Sequence, residues 1–266
     1  MADAIGALAS VALPWITGTY AVRALWRRSP ADPGVLAIGY GYLVGMFTAT
    51  LAMRAYSLAG VRWTLPLLAG TIVALGAAAW WLARRAGPPR APSPGLRASL
   101  AAETPLLRWL FAAALALVAL RLAGLAIDAL VAPMRGYDPW AHWATKGRVW
   151  FEHGRMMPFV PPDVWLARGD PSLYTDANPG HPGAIPLMHA WTATFLTGWN
   201  DSLVSVPWIA VSIALPLAFY GQARLAGARP PLAMTAAWLL MSLPILDGHI
   251  AIAGAADLFL AATYGL

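Results

Sequence analysis

Asp138, His142 and Lys146 stand four residues apart in sequence, so a helix would set all three on one side. Together they could hold an anion, bind a cation or move a proton. Asp138 precedes Pro139, a helix-start pair in which the carboxylate can accept backbone N–H groups as the N-cap and proline suits the first helical position. A carboxylate held there stays ionised, the state that a general base or a cation ligand requires. Helical spacing puts Trp140, Trp143, Gly147, Trp150 and Phe151 on one side, and Asp138, His142, Lys146, Val149 and His153 on the other. The aromatic side is expected in the membrane interface, where tryptophan is favoured, and the polar row is expected to face water. The helix should stop at Gly154. The plain alternative is that Asp138 is only a cap and the tryptophans only an anchor.

Further along, Asn178-Pro179-Gly180-His181-Pro182-Gly183 reads as a rigid turn that carries His181 at its rim. A histidine alone in a loop is usually just solvated. Beside an acid near a membrane surface, however, it could meet an anionic lipid head group, and Arg135, Lys146 and Arg148 are candidates for the same work. His142, His153 and Asp138 could gather around a divalent cation, but their spacing lacks a compact motif such as HExxH, so no cofactor is certain. Arg121, Asp128 and Asp257 fall within apolar runs, where ionisable side chains are costly and usually face a bundle interior. Arg121 and Asp128 lie about 10 Å apart along a helix axis, too far to pair directly.

These residues sit in a chain of 266 residues that is 59% hydrophobic and 11% charged, against roughly 25% charged in soluble domains. That excludes an ordinary globular protein. The net charge of +6 is spread over short loops rather than gathered on one face, which argues against nucleic acid as a partner. With no cysteine there is neither disulfide nor thiolate chemistry. The expected fold is all-α, a polytopic transmembrane helical bundle whose outer loop carries amphipathic interfacial helices.

Spans are expected at about 5–25, 34–53, 64–82, 106–131, 203–225 and 231–246, with a seventh beginning near Ile250. The first ends at Arg23, Arg27 and Arg28 before the breaker Ser29-Pro30, and the sixth reaches Asp247, Gly248 and His249. The stretch Arg84 to Thr104 reads as a connector, and Gly183 to Gly198 as a short helix lying at the interface. Two parts follow: a three-span module with its cytoplasmic linker at 1–105, and a membrane core at 106–266 with its outer loop at 132–200. Arg23, Arg27, Arg28, Arg84, Arg85, Arg90, Arg97, Arg108, Arg224 and Arg229 fall on one side, and Arg54 and Arg62 on the other. Basic residues mark the cytoplasmic side. The polar stretch Met134 to Pro182 is therefore expected outside, in the periplasm if the membrane is a bacterial inner membrane. The ending at Leu266, without a polar flank, reads as a cut.

In order and topology the chain resembles the GT-C glycosyltransferases, above all the protein O-mannosyltransferases and the lipid A aminoarabinose transferases. The residues that carry the resemblance are Tyr137-Asp138-Pro139-Trp140 with the helix to Gly154, Gly180-His181-Pro182, Gly198-Trp199-Asn200 and Gly254-Ala255-Ala256-Asp257. It covers about Leu106 to Leu266. The family's further spans imply that this is an N-terminal portion of such a protein. The resemblance implies Asp138 as catalytic base and Asp257 as a second acidic position. His181 stands where the aminoarabinose transferases carry a lysine that meets lipid phosphate. By the same implication the donor is a polyprenyl-phosphate sugar, held through its phosphate by His181, Lys146, His142, Arg135 and Arg148, and the acceptor is a glycan, lipid or protein. Two rivals stand beside this reading. One is a transporter or lipid-handling protein using Arg121, Asp128 and Asp257 as a charge relay, and the other a non-catalytic fragment.

Overall fold

The computed structural model describes residues 1–26, 34–85, 95–251 and 253–265. The basic residues Arg27, Arg28 and Arg90 and the Ser29-Pro30 breaker lie outside the described residues, as does the Asp247 side chain. The apolar runs form α1 (Ala2–Leu25), α2 (Gly34–Leu58), α3 (Leu65–Arg85) and α5 (Pro105–Val131), with a short α4 (Leu96–Ala101) inside the expected connector. Thr104 caps α5 by accepting the Leu107 N–H, and Pro105 follows at the first helical position. The polar segment folds as a π-helical turn (Pro139–Ala144) running into α6 (Thr145–His153), then α7 (Pro162–Arg168) and α8 (Ala184–Thr194). Two short strands, β1 (Phe159–Val160) and β2 (Tyr174–Thr175), pair in parallel within it. The chain returns through α9 (Val206–Leu225), α10 (Pro230–Met241), α11 (Pro244–Ala251) and α12 (Asp257–Gly265).

Five helices, at 2–25, 34–58, 65–85, 105–131 and 203–225, are long and apolar enough to cross a membrane. The protein is thus a multi-pass, all-α membrane protein. The expected sixth span is instead a bent pair: α10 and α11 meet at 57°, and together they give the sixth candidate. Pro244 follows the break, and without an N–H it cannot extend the preceding helix. The seventh expected span is also corrected. No continuous helix runs on from Ile250, and Asp257 opens the nine-residue α12 with its side chain 61% exposed.

The described residues share one main core, which draws side chains from α2, α3, α5, α6, α8, α9, α11 and α12. Helix α2 is its centre, packed along α1 on one side and α9 on the other. Small residues make the second contact close. A Cβ on Gly221 would lie 2.6 Å from the Leu36 Cα, and one on Gly39 would lie 2.6 Å from the Ala218 Cα. Where no hydrophobic effect drives helix association, such backbone proximity supplies the van der Waals contact that holds spans together. Helices α3 and α5 turn Val73, Trp80, Leu106, Trp109 and Leu120 outward, as lipid-facing spans do.

The two ends of the bundle differ in chemistry. At one end the Arg229 guanidinium grips the Glu103 carboxylate, and Arg224 donates to the Ala228 carbonyl at 2.6 Å and to the Ser99 hydroxyl at 3.4 Å. At the other end the loop between α2 and α3 holds the polar segment. There Trp63 N–H donates to the Gly154 carbonyl at 2.6 Å and Arg62 Nε to the His153 carbonyl at 3.2 Å. Arg224 and Arg229 thus lie at one end and Arg62 at the other, as the sequence separated them.

Candidate functional site

The polar segment is built around a buried carboxylate, Asp176, immediately after β2. The pairing of β2 with β1 fixes where it enters, and its own N–H donates to the Val160 carbonyl at 3.2 Å. The Asp176 side chain accepts the Asn178 N–H at 2.9 Å, an Asx-turn that folds the following residues back toward α6. His142 Nδ1 shares a short hydrogen bond with Asp176 Oδ1, and Lys146 Nζ lies 2.5 Å from Oδ2. Lys146 also donates to the Asn178 carbonyl at 2.8 Å. The Asp176, Lys146 and His142 side chains are only 1%, 2% and 6% exposed. At that burial, a charge persists only where it is paired and hydrogen-bonded. Burial pushes the Asp176 carboxyl up, but the Asn178, Lys146 and His142 hydrogen bonds and the Lys146 charge outweigh it and hold the carboxyl below its ordinary value.

This geometry corrects several expectations. The polar row does not face water, because His142 and Lys146, one turn apart, both reach inward to Asp176. Lys146 therefore leaves the set of residues free to hold a phosphate. Nor does the aromatic side rest in lipid: Trp143 and Trp150 are buried in the protein core, and only Trp140, 65% exposed, points away from it. Asp138 does not cap the helix. It has helical backbone angles, φ −62° and ψ −46°, whereas an N-cap sits in the extended region with its side chain folded back on the first turn. The turn that follows is π-helical, so the extra residue rotates Asp138 out of phase with the α-helical row behind it. Its carboxylate is left exposed.

Helix α8 is enclosed by protein instead of lying at an interface, with Ile185 to Ala193 all buried. Gly147 makes room for it: a Cβ there would come within 2.9 Å of His189 Cβ and the Pro186 carbonyl. His189 stacks on Trp208 with centroids 4.7 Å apart, and burial drives its pKa down to about 4, so near neutral pH it is an uncharged core side chain. The expected Gly198-Trp199-Asn200 motif closes this layer. Trp199 Nε1 donates to Asp201 at 2.6 Å, and Asn200 accepts the N–H groups of Ser202 and Leu203.

Two expected site residues, His142 and His181, meet at the rim of this layer. His181 stacks on Trp143 at 4.9 Å and meets the His142 ring edge-on at 5.8 Å. Tyr137, 72% exposed, meets the His142 ring edge-on at 5.7 Å. The segment before Asp257 arrives beside Asp138 through Gly254, which sits against Pro139 and Met134. Gly254 has φ +111°, and a Cβ on it would lie 2.7 Å from Pro139 Cβ. Asp257 itself lies 3.6 Å from His249. The remaining cations are elsewhere. Arg135 pairs with Asp128 at 2.9 Å and Arg148 with Glu152 at 3.0 Å, both as exposed ion pairs of little strength. His153 Nε2 is bonded to the Tyr174 hydroxyl at 2.6 Å, and among the described residues no three His, Asp or Glu side chains converge as a metal site.

Asp176 was missed in the sequence, although Asp176-Ala177-Asn178-Pro179-Gly180 carries an Asx-turn signal that could have flagged it. Replacing Gly254 by alanine should cost about 1 to 3 kcal/mol of local strain and shift the Asp257 segment away from Pro139. The expected outcome is a lower melting temperature, by about 2 to 4 °C per kcal/mol, with the helical circular dichroism at room temperature unchanged; an unchanged melting temperature would show that the segment accommodates a side chain there.

Comparison with protein-family models, curated proteins and solved structures finds no match to this chain.

Proposed function

We propose that this protein is a membrane glycosyltransferase of GT-C type. It moves a hexosyl or pentosyl group from a polyprenyl-phosphate donor to a glycan, lipid or protein acceptor at the periplasmic face of a bacterial inner membrane. The acceptor hydroxyl gives its proton to Asp138 while its oxygen attacks the anomeric carbon. The bond from that carbon to the phosphate oxygen breaks, and the electron pair leaves with the lipid phosphate. A single displacement inverts the anomeric centre. His181 meets the phosphate, and the segment ending in Asp257 closes the acidic side of the rim.

The observation that carries this reading is the convergence at one end of the bundle. Asp138 and His181 are exposed, His181 meets the ring of buried His142, and Gly254 packs against Pro139 beside Asp138, all away from the Arg224–Arg229 end. The apolar span α5 leads directly into this segment, so a lipid-anchored donor could present its phosphate there from the bilayer. The rival relay gains less support, since Asp128 pairs with exposed Arg135 near the end of α5 and Asp257 opens an exposed helix terminus.

The test is turnover in proteoliposomes supplied with labelled polyprenyl-phosphate sugars. Release of polyprenyl phosphate and appearance of label in an acceptor fraction are the expected result. If no donor is consumed and labelled solute instead crosses the bilayer, the transport reading takes its place.

A further inference from the structure

We propose that the hollow between α4 and the first turn of α5 binds an anionic phospholipid, its phosphate held by Arg97 and Arg108 and one acyl chain laid along α5. The site lies at the Arg224–Arg229 end of the bundle, away from Asp138 and His181, and it is independent of the transferase reading.

The hollow has a volume of about 610 Å³ and is lined by Leu96, Arg97, Leu100, Ala101 and Arg108. Small-molecule clefts run from about 300 to 1,000 Å³, so a glycerophosphate head group has room here. The wall is fixed from behind. Leu100 packs against the cluster of Phe111, Tyr220, Ala233 and Ala237, the Ser99 hydroxyl accepts from Arg224, and buried Glu103 is gripped by Arg229. Glu103 is the sole acidic side chain between Ala86 and Ile127 in the sequence, and Arg229 already engages it. Among the described residues neither Arg97 nor Arg108 has a carboxylate partner, and both are exposed. Two cations therefore open on one hollow with no counter-charge of their own.

Charge and apolar surface together select the occupant. A guanidinium presents a planar fork of donors that matches phosphate oxygens, and a pair of them needs an anion. The surface beside the hollow belongs to lipid: Leu106 and Trp109 in the first turns of α5 are exposed, as are side chains of a span at the membrane boundary. Leu115, also exposed, stands two turns beyond Arg108 on the same face of α5, about 10 Å further along the axis. An acyl chain that descends from a phosphate at Arg108 covers it, whereas a soluble anion leaves it and Leu96 bare. Basic pockets of this kind beside spans, on the side marked by the arginines, take anionic lipid head groups. The basic end of α3 differs, because Arg84 and Arg85 lie over the Trp80 and Trp81 rings at 4.2 and 3.8 Å.

Native mass spectrometry of the detergent-solubilised protein, titrated with dioleoyl phosphatidylglycerol or with dioleoyl phosphatidylcholine, reads the first lipid bound. Each arginine near a head group contributes about fivefold, so wild type is expected to hold phosphatidylglycerol about thirtyfold more tightly than phosphatidylcholine. Arg97→Gln with Arg108→Gln should bring the two lipids to equal affinity. It should also melt near wild type, since among the described residues neither side chain has an ion pair to lose. Arg84→Gln with Arg85→Gln removes the same charge elsewhere and should leave the preference within about twofold of wild type. Equal binding of the two lipids to wild type, a preference that survives in folded Arg97→Gln with Arg108→Gln, or the same loss from the Arg84 and Arg85 pair overturns the proposal. Glycerol 3-phosphate is the competing probe. Failure to displace phosphatidylglycerol at equal concentration supports the acyl-chain contact, and displacement makes a soluble phosphate the occupant and overturns the lipid site.

Discussion

Lys146→Met is expected to destabilise the protein by about 3 to 5 kcal/mol, the usual result of removing one partner from a buried ion pair. Methionine fills the volume of the lysine stem but leaves Asp176, 1% exposed, without its cation and the Asn178 carbonyl without its donor. For a chain of this size that corresponds to a drop of about 10 °C in melting temperature. Asp176→Leu added to Lys146→Met removes the orphaned charge and should recover much of the loss. Acid should narrow the difference between wild type and Lys146→Met. The Asp176 carboxyl is held below its ordinary value, so its contribution is present above the unfolded value of about 3.9 and fades as the pH falls through the lower folded value. Melting of Lys146→Met within about 1 °C of wild type at pH 7 would mean that the cluster does not hold the 174–182 loop against α6.

Asp138→Asn is expected to lower sugar transfer by about 10² to 10⁴, the range for loss of a general base. Stability should hardly change, within about 0.5 kcal/mol as for most surface substitutions. The reason is structural: the carboxylate is exposed and bonds no backbone N–H, so there is no cap for asparagine to preserve or lose. That separation makes the variant informative, since a fall in rate cannot be traced to unfolding. Transfer retained within about twofold would show that another group takes the acceptor's proton.

The two substitutions behave oppositely because Asp138 and Asp176, both acidic residues of one polar segment, meet different surroundings. Helical spacing correctly grouped His142 with Lys146. It could not tell which way that row faced, because a polar row turns to water unless a counter-charge waits on the inside, and the counter-charge lies 34 residues beyond His142.

What the sequence by itself determined is local in origin. Apolar runs of bilayer length specify the five long helices, Thr104-Pro105 specifies the start of α5, Gly154 ends α6 with φ +62°, and Arg224 and Arg229 lie at the end opposite Arg62. Only the tertiary structure decided the rest. The π turn put Asp138 out of phase with its row, the parallel pairing of β1 and β2 delivered Asp176 to His142 and Lys146, and the Gly254 loop came back against Pro139. Each of these depends on contacts between segments far apart in the chain, whose burial and charge compensation no single segment encodes.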